Sequence, residues 1–115
     1  MENTEIESQS KLDLLTAAAR FAALGSEQRL EVLRVLVRAG PEGTTIGTLG
    51  ERSGVTGSTL THHLKILTQA GLVVQRKQGR SIICATADYT EMRDLADYLL
   101  RECCADCPDS EHHHD

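Results

Sequence analysis

The spacing of apolar residues changes from helical to alternating at Gly71 and returns to helical near Tyr89, and few folds accommodate that switch within 115 residues. Before the switch, Lys11 to Leu24 reads as a first helix with Leu12, Leu15, Ala18, Ala19 and Ala22 on its apolar side, closed by Gly25. Ser26 is the expected N-cap of a second helix, with Glu27 in its first turn. Its apolar positions are Leu30, Leu33, Leu36 and Val37, and Gly40-Pro41 ends it. Thr45 opens a short third helix to about Arg52, with Ile46 and Leu49 inward. Gly54 makes a turn, and Thr56 caps a fourth helix that runs to about Ala70. After Gly71, Leu72 to Lys77 and Arg80 to Thr86 form two strands around a Gln78-Gly79 turn. A last helix from about Tyr89 carries Met92, Leu95, Ala96, Leu99, Leu100 and Cys103 at helical spacing. The expected fold is α+β, mostly helical: a winged helix-turn-helix of about five helices and a two-stranded β-hairpin wing.

The net charge of −5 taken alone argues against nucleic acid as a partner, but the distribution of charge points the other way. Residues 51–87 carry Arg52, Lys65, Arg76, Lys77 and Arg80 against Glu51, whereas residues 102–115 carry five carboxylates and no Lys or Arg. A local basic patch contacts phosphate even on an acidic protein, and a patch this modest calls for doubling in a dimer. One Phe and two Tyr leave little for single-strand base stacking. No apolar run reaches membrane length and residues 1–10 are polar and acidic, so no membrane partner is expected and the cytoplasm is the default location. Thiols stay reduced there, which favours ligand or redox chemistry over a structural disulfide.

On the fourth helix, Leu60, Leu64 and Leu67 cluster on the core side. Ser58, Thr61, His62, Lys65 and Gln69 fall opposite them and offer hydrogen-bonding groups for phosphates and base edges. His63 lies at the apolar flank and faces inward. Arg76, Lys77 and Arg80 make the hairpin a basic wing.

Cys103, Cys104 and Cys107 stand at the end of the last helical pattern, just before Pro108. Continued as a helix at about 100° per residue, the segment turns all three thiols to one side, within reach of one soft cation. One cysteine would read as a small buried hydrophobe, but three within five polar, acidic residues do not. Cys84, alone in the second wing strand, reads as packing. His112, His113 and His114 read as incidental; if engaged, they would give a mixed sulfur and nitrogen site suited to Zn or Cd.

The segments LGSEQRLEVLRVL (Leu24 to Leu36), GSTLTHHLKILTQAGLV (Gly57 to Val73) and RKQGR (Arg76 to Arg80) resemble the ArsR/SmtB family of metal-responsive repressors. The resemblance spans about residues 12–104. It implies a homodimer, packed through its first and last helices, that binds double-stranded operator DNA and releases it on binding inducer. Residues 1–10 are then a flexible leader, 11–105 the DNA-binding and dimerisation domain, and 106–115 an acidic, His-containing tail. The family's Cys-x-Cys arsenic site falls where this chain has Thr44, Thr45, Ile46 and Gly47, and its zinc site requires a histidine that is missing between Asp88 and Arg101. The remaining resemblance is to members with cysteines at the end of the last helix. It implies As(III) or Sb(III) as inducer on Cys103, Cys104 and Cys107, without a catalytic cofactor.

The leading function is a repressor released by As(III) or Sb(III). The alternatives are a thiol-redox, persulfide or Zn/Cd-responsive repressor of the same fold, in which Glu102, Asp106 and Asp109 would raise the thiol pKa and slow oxidation. A third option is a metal-binding or interaction module that does not read DNA. An enzyme is not expected: the chain has no phosphate loop, Ser/His/Asp arrangement or enclosed carboxylate pair.

Overall fold

A computed structural model describes residues 12–108. The leader (1–10) and the histidines at 112–114 lie outside the described residues. Among these residues, five helices and three short strands follow in the order α1 (Leu14–Ala23), α2 (Glu27–Ala39), β1 (Thr44–Thr45), α3 (Ile46–Ser53), α4 (Gly57–Gln69), β2 (Val73–Gln78), β3 (Ser81–Thr86) and α5 (Tyr89–Leu100). No helix among the described residues is long and apolar enough to cross a membrane.

Caps fix most helix starts. Asp13 accepts from the Thr16 amide at 2.8 Å, Ser26 from Arg29 at 3.2 Å and Thr45 from Thr48 at 3.2 Å, so the orphan amides of the first turns find partners. The Asp13 cap starts α1 three residues later than the apolar pattern suggests. Thr56 occupies the cap position of α4, but its side chain makes no capping hydrogen bond. Gly54, left-handed at φ 77°, turns the chain from α3 into α4.

The core runs through Val32 and Leu36 of α2, Leu49 of α3, Leu67 of α4, and Leu72, Val73 and Cys84 of the sheet, all fully buried. Cys84 is thus a packing residue, as its isolation in sequence suggests. Two apolar stripes differ from expectation. On α2 the buried positions are Val32, Leu33, Val35 and Leu36, leaving Leu30 and Val37 exposed. On α1 only Ala17 and Ala23 are buried, whereas Leu14 is 67 % and Leu15 81 % exposed. The helix packs on the rest of the chain through small residues and presents leucine outward.

The sheet has three strands rather than two, in the antiparallel order β1-β3-β2. β1 pairs Thr44 with Cys84 and Thr45 with Ile83, a span too short to carry a period of its own. In the wing Gln78 pairs with Ser81, which moves the tight turn to Gly79-Arg80 and places Arg80 at the tip. Gly43 enters β1 at φ 79°, and a Cβ there would run into the Cys84 carbonyl oxygen. Gly40, at φ 86°, has nothing within 4 Å of the same position. Both substitutions are therefore expected to cost backbone strain of about 1–3 kcal/mol, toward the upper end at Gly40 where ψ is −179°, and Gly43→Ala about 1–3 kcal/mol more from overpacking. Urea unfolding of both variants checks this; a Gly43→Ala loss no greater than the strain alone would mean the approach to β3 is not tight.

α5 ends at Leu100, and residues 101–107 form successive turns. The cysteines therefore do not continue a helix. Cys104 is at φ 65°, the left-handed region, which breaks the helical path between Cys103 and Cys107.

Candidate nucleic-acid interface and thiol cluster

α4 presents the polar face expected of it. Ser58, Thr61, His62, Lys65 and Gln69 are exposed, and Leu60, His63, Leu64 and Leu67 are buried behind them. His63 is held on both ring nitrogens: Nε2 lies 3.0 Å from Gln28 Oε1, and Nδ1 lies 3.4 Å from the Arg29 guanidinium. Arg29 in turn donates to the Ala23 carbonyl at 2.6 Å. The pattern requires a neutral imidazole that donates from Nε2 and accepts at Nδ1. Desolvation first, then the charges of Arg29 and His62, push the His63 pKa down from its ordinary 6.5.

As pH falls, the unfolded chain binds this proton before the folded one. Stability from the His63 seat is complete above about pH 6.5 and declines below it. His63→Ala is expected to lower the thermal midpoint, by about 1–3 kcal/mol of lost hydrogen bonding, and to flatten that decline. DNA affinity above pH 6.5 should survive. His62→Ala should do the opposite: keep the midpoint and lose affinity. The reverse pair of results would mean that α4 presents another face to DNA.

The wing splits the three predicted cations. Paired residues of antiparallel strands point to the same face, so Lys77 sits with Ile82, and Gln75 with the buried Cys84, on the side turned toward α4. Arg76 lies on the other face and donates to the Glu42 carbonyl at 3.0 Å, bracing the wing against the loop before β1. Lys77 and Arg80 are exposed toward the tip. Between α4 and the wing runs a cleft of about 470 Å3. Thr61, Lys65 and Gln69 line it together with Ile46, read from sequence as an inward position, and with Thr68, Gln75 and Ile82, which the sequence alone did not single out. They come from separate elements, and no linear spacing joins them.

At the other end, the Cys103 and Cys104 sulfurs lie 3.7 Å apart. Cys103 and Cys107 are exposed and Cys104 is half-buried; none is in a disulfide. The Cys107 amide donates to the Cys104 carbonyl at 3.0 Å, curling the chain back. Among the described residues no three metal-ligating side chains converge, so the Cys107 thiol is not gathered with the other two. The Cys104 thiol, by hydrogen bonding and by repelling a second negative charge, holds the Cys103 pKa above its ordinary value. Desolvation adds to the same shift.

Arg101 stacks on the Tyr98 ring at 4.7 Å and donates to the Leu12 carbonyl at 3.3 Å, linking the thiol turn to the start of α1. Arg20 of α1 pairs with Glu91 of α5 at 2.9 Å and donates to the Ala70 carbonyl, the C-cap of α4, at 3.0 Å. Leu14 and Leu15 of α1 and Leu99 and Leu100 of α5 remain exposed.

Residues 24–76 match a family described as a helix-turn-helix domain. The uncharacterized HTH-type transcriptional regulator YceK of Bacillus subtilis is 38 % identical over 79 residues, covering 69 % of this chain and 78 % of that protein. An ArsR-like transcriptional regulator from Rhodococcus sp. RHA1 superposes with a TM-score of 0.64 at 32 % identity, over 76 % of this chain and 78 % of the other. The homodimeric winged helix-turn-helix domain of Mb0332 from Mycobacterium bovis shares the fold, with a TM-score of 0.63 at 24 % identity over 89 % and 90 % of the two chains.

Proposed function

The chain belongs to the ArsR-type winged helix-turn-helix DNA-binding transcriptional regulators, and from that premise we propose that it is a homodimeric repressor released from its operator when As(III) or Sb(III) is captured by C-terminal thiols. The observation that carries the ligand reading is the Cys103–Cys104 pair, with sulfurs 3.7 Å apart beyond the last helix and outside the core. Trivalent arsenic and antimony favour thiolate donors over nitrogen and oxygen. Cys103 and Cys104 provide two such donors at once. Cys107, three residues on and tied to Cys104 through the backbone, is the third, brought in by rearrangement of the turn. Each thiol gives up its proton on ligation, so capture weakens as pH falls.

The exposed leucines of α1 and α5 form the apolar surface that a second copy covers; the Mb0332 domain, which shares the fold, is homodimeric. The dimer presents two α4 helices to successive major grooves of an inverted repeat. The cleft beside α4 suits the intervening sugar–phosphate strand, with Lys65 and Gln75 donating to phosphate and Ile46 and Ile82 against deoxyribose. Closing the thiol turn acts where Arg101 meets Leu12, beside the dimer surface. Ligand then favours the DNA-free dimer by the difference in its affinity for the two states.

Titrating the reduced protein–DNA complex with As(III), Sb(III), Zn(II) and Cd(II) tests the reading. Release by As(III) or Sb(III) at the lowest concentration is expected. Zinc or cadmium acting first would refute the metalloid assignment.

A further inference from the structure

Arg34 and Arg38 lie one turn apart on α2, and Arg52, in the last turn of α3, faces the same cleft of about 420 Å3 beside the buried Val35. Glu31 also lines the cleft and reaches only Arg34, at 3.7 Å. Among the described residues no carboxylate stands within ion-pair distance of Arg38 or Arg52. Like charges four residues apart on a helix repel, and Arg52 brings a third cation to them from another element. On a chain of net charge −5, this concentration of cations lies outside both the reading helix and the wing.

We propose that Arg34, Arg38 and Arg52 form a second phosphate-binding site. Each guanidinium presents paired N–H donors that match two phosphate oxygens at once. Three of them around one cleft suit a group with more than one negative charge, and Val35 provides a fixed wall behind it. Arg52 stands two residues before the Gly54–Thr56 turn into α4, so an anion held here sits at the entrance to the reading helix. The same chemistry comes from two sources, the DNA backbone or a free di- or polyphosphate. The site does not depend on the thiol reading.

The test compares the full-length parent with an Arg38→Ala/Arg52→Ala variant, using a fluorescein-labelled duplex in one arm and inorganic pyrophosphate without DNA in the other. Removing two phosphate contacts per protomer should lower the slope of log affinity against log salt by about 3.6 in the dimer, at about 0.9 per contact. In the second arm pyrophosphate should raise the parent's thermal midpoint and leave the variant's unmoved. A reduced slope assigns the site to DNA backbone. A lost pyrophosphate shift with an unchanged slope assigns it to a free anion. Should alanine unfold the chain, Arg38→Gln/Arg52→Gln, which keeps most of each stem without the charge, is read instead. Folded variants with the parent's slope and the parent's response to pyrophosphate overturn the proposal. A parent that binds no duplex removes the DNA role of the whole chain, and the pyrophosphate arm still decides the cleft.

Discussion

Replacing Cys103 or Cys104 with Ser is expected to abolish release from DNA by As(III) while leaving repression without ligand intact. The two sulfurs stand together at 3.7 Å, so either substitution removes half of the donor pair that already exists and substitutes a hard hydroxyl for a soft thiolate. Cys107→Ser should also impair release strongly, because the third thiolate completes the set. Its effect should be the smallest of the three, since that thiol must move to join the others. Apo-repression should persist in all of them: the turn after Leu100 lies outside the core, and the elements that meet DNA are elsewhere. Truncation after Cys107 should retain the As(III) response, and X-ray absorption on the complex should report sulfur neighbours only, about three. Cys84→Ser should remain inducible but lose stability, because a hydroxyl there would be buried in the core. Nitrogen in the absorption spectrum, or an uninducible Cys84→Ser protein that folds, would reject the C-terminal thiol site.

Lys65→Ala and Arg80→Ala should each weaken DNA binding and flatten its salt dependence. Lys65 projects from α4 into the cleft shared with the wing, and Arg80 occupies the wing tip, so in the proposed interface the two would reach phosphates at separate places. One substitution in a dimer removes two contacts, which lowers the slope by about 1.8 at about 0.9 per contact. Arg76→Ala should flatten the slope less, because its guanidinium is engaged with the Glu42 carbonyl. Its cost should fall instead on the stability of the wing. Salt titrations of the three variants separate the roles, and an unchanged slope for both Lys65→Ala and Arg80→Ala would remove these residues from the interface.

The helices that carry local signals were legible in the sequence. Ser26 and Thr45 cap where their hydroxyls and following amides predict, and the alternation of leucine with polar residues on α4 separates its two faces, His62 from His63 included. Other features depend on partners far along the chain. β1 exists because β3 offers it an edge, and two threonines contain no trace of that. The apolar residues of α1 have helical spacing whether they cover their own core or a second protomer, so Leu15 looked like a core residue and is exposed. The thiol segment misled for a different reason. Cys103 extends the stripe of α5 by one more turn, but the left-handed backbone of Cys104 ends it, and only two of the three sulfurs are brought together.

Arg20 reaches three elements with one side chain. Its guanidinium meets Glu91 of α5 and the carbonyl that closes α4, while its own backbone belongs to α1. Its side chain is 12 % exposed. One side chain thus ties the C-terminal end of α4 to both outer helices, α1 and α5. In the proposed dimer, an angular change where the protomers meet would reach DNA as a rotation about the Ala70 end of α4, growing along that helix toward Gly57. The thiol sensor proposed past α5 would then need only a small displacement at this fulcrum to misalign two reading heads that fit their grooves together.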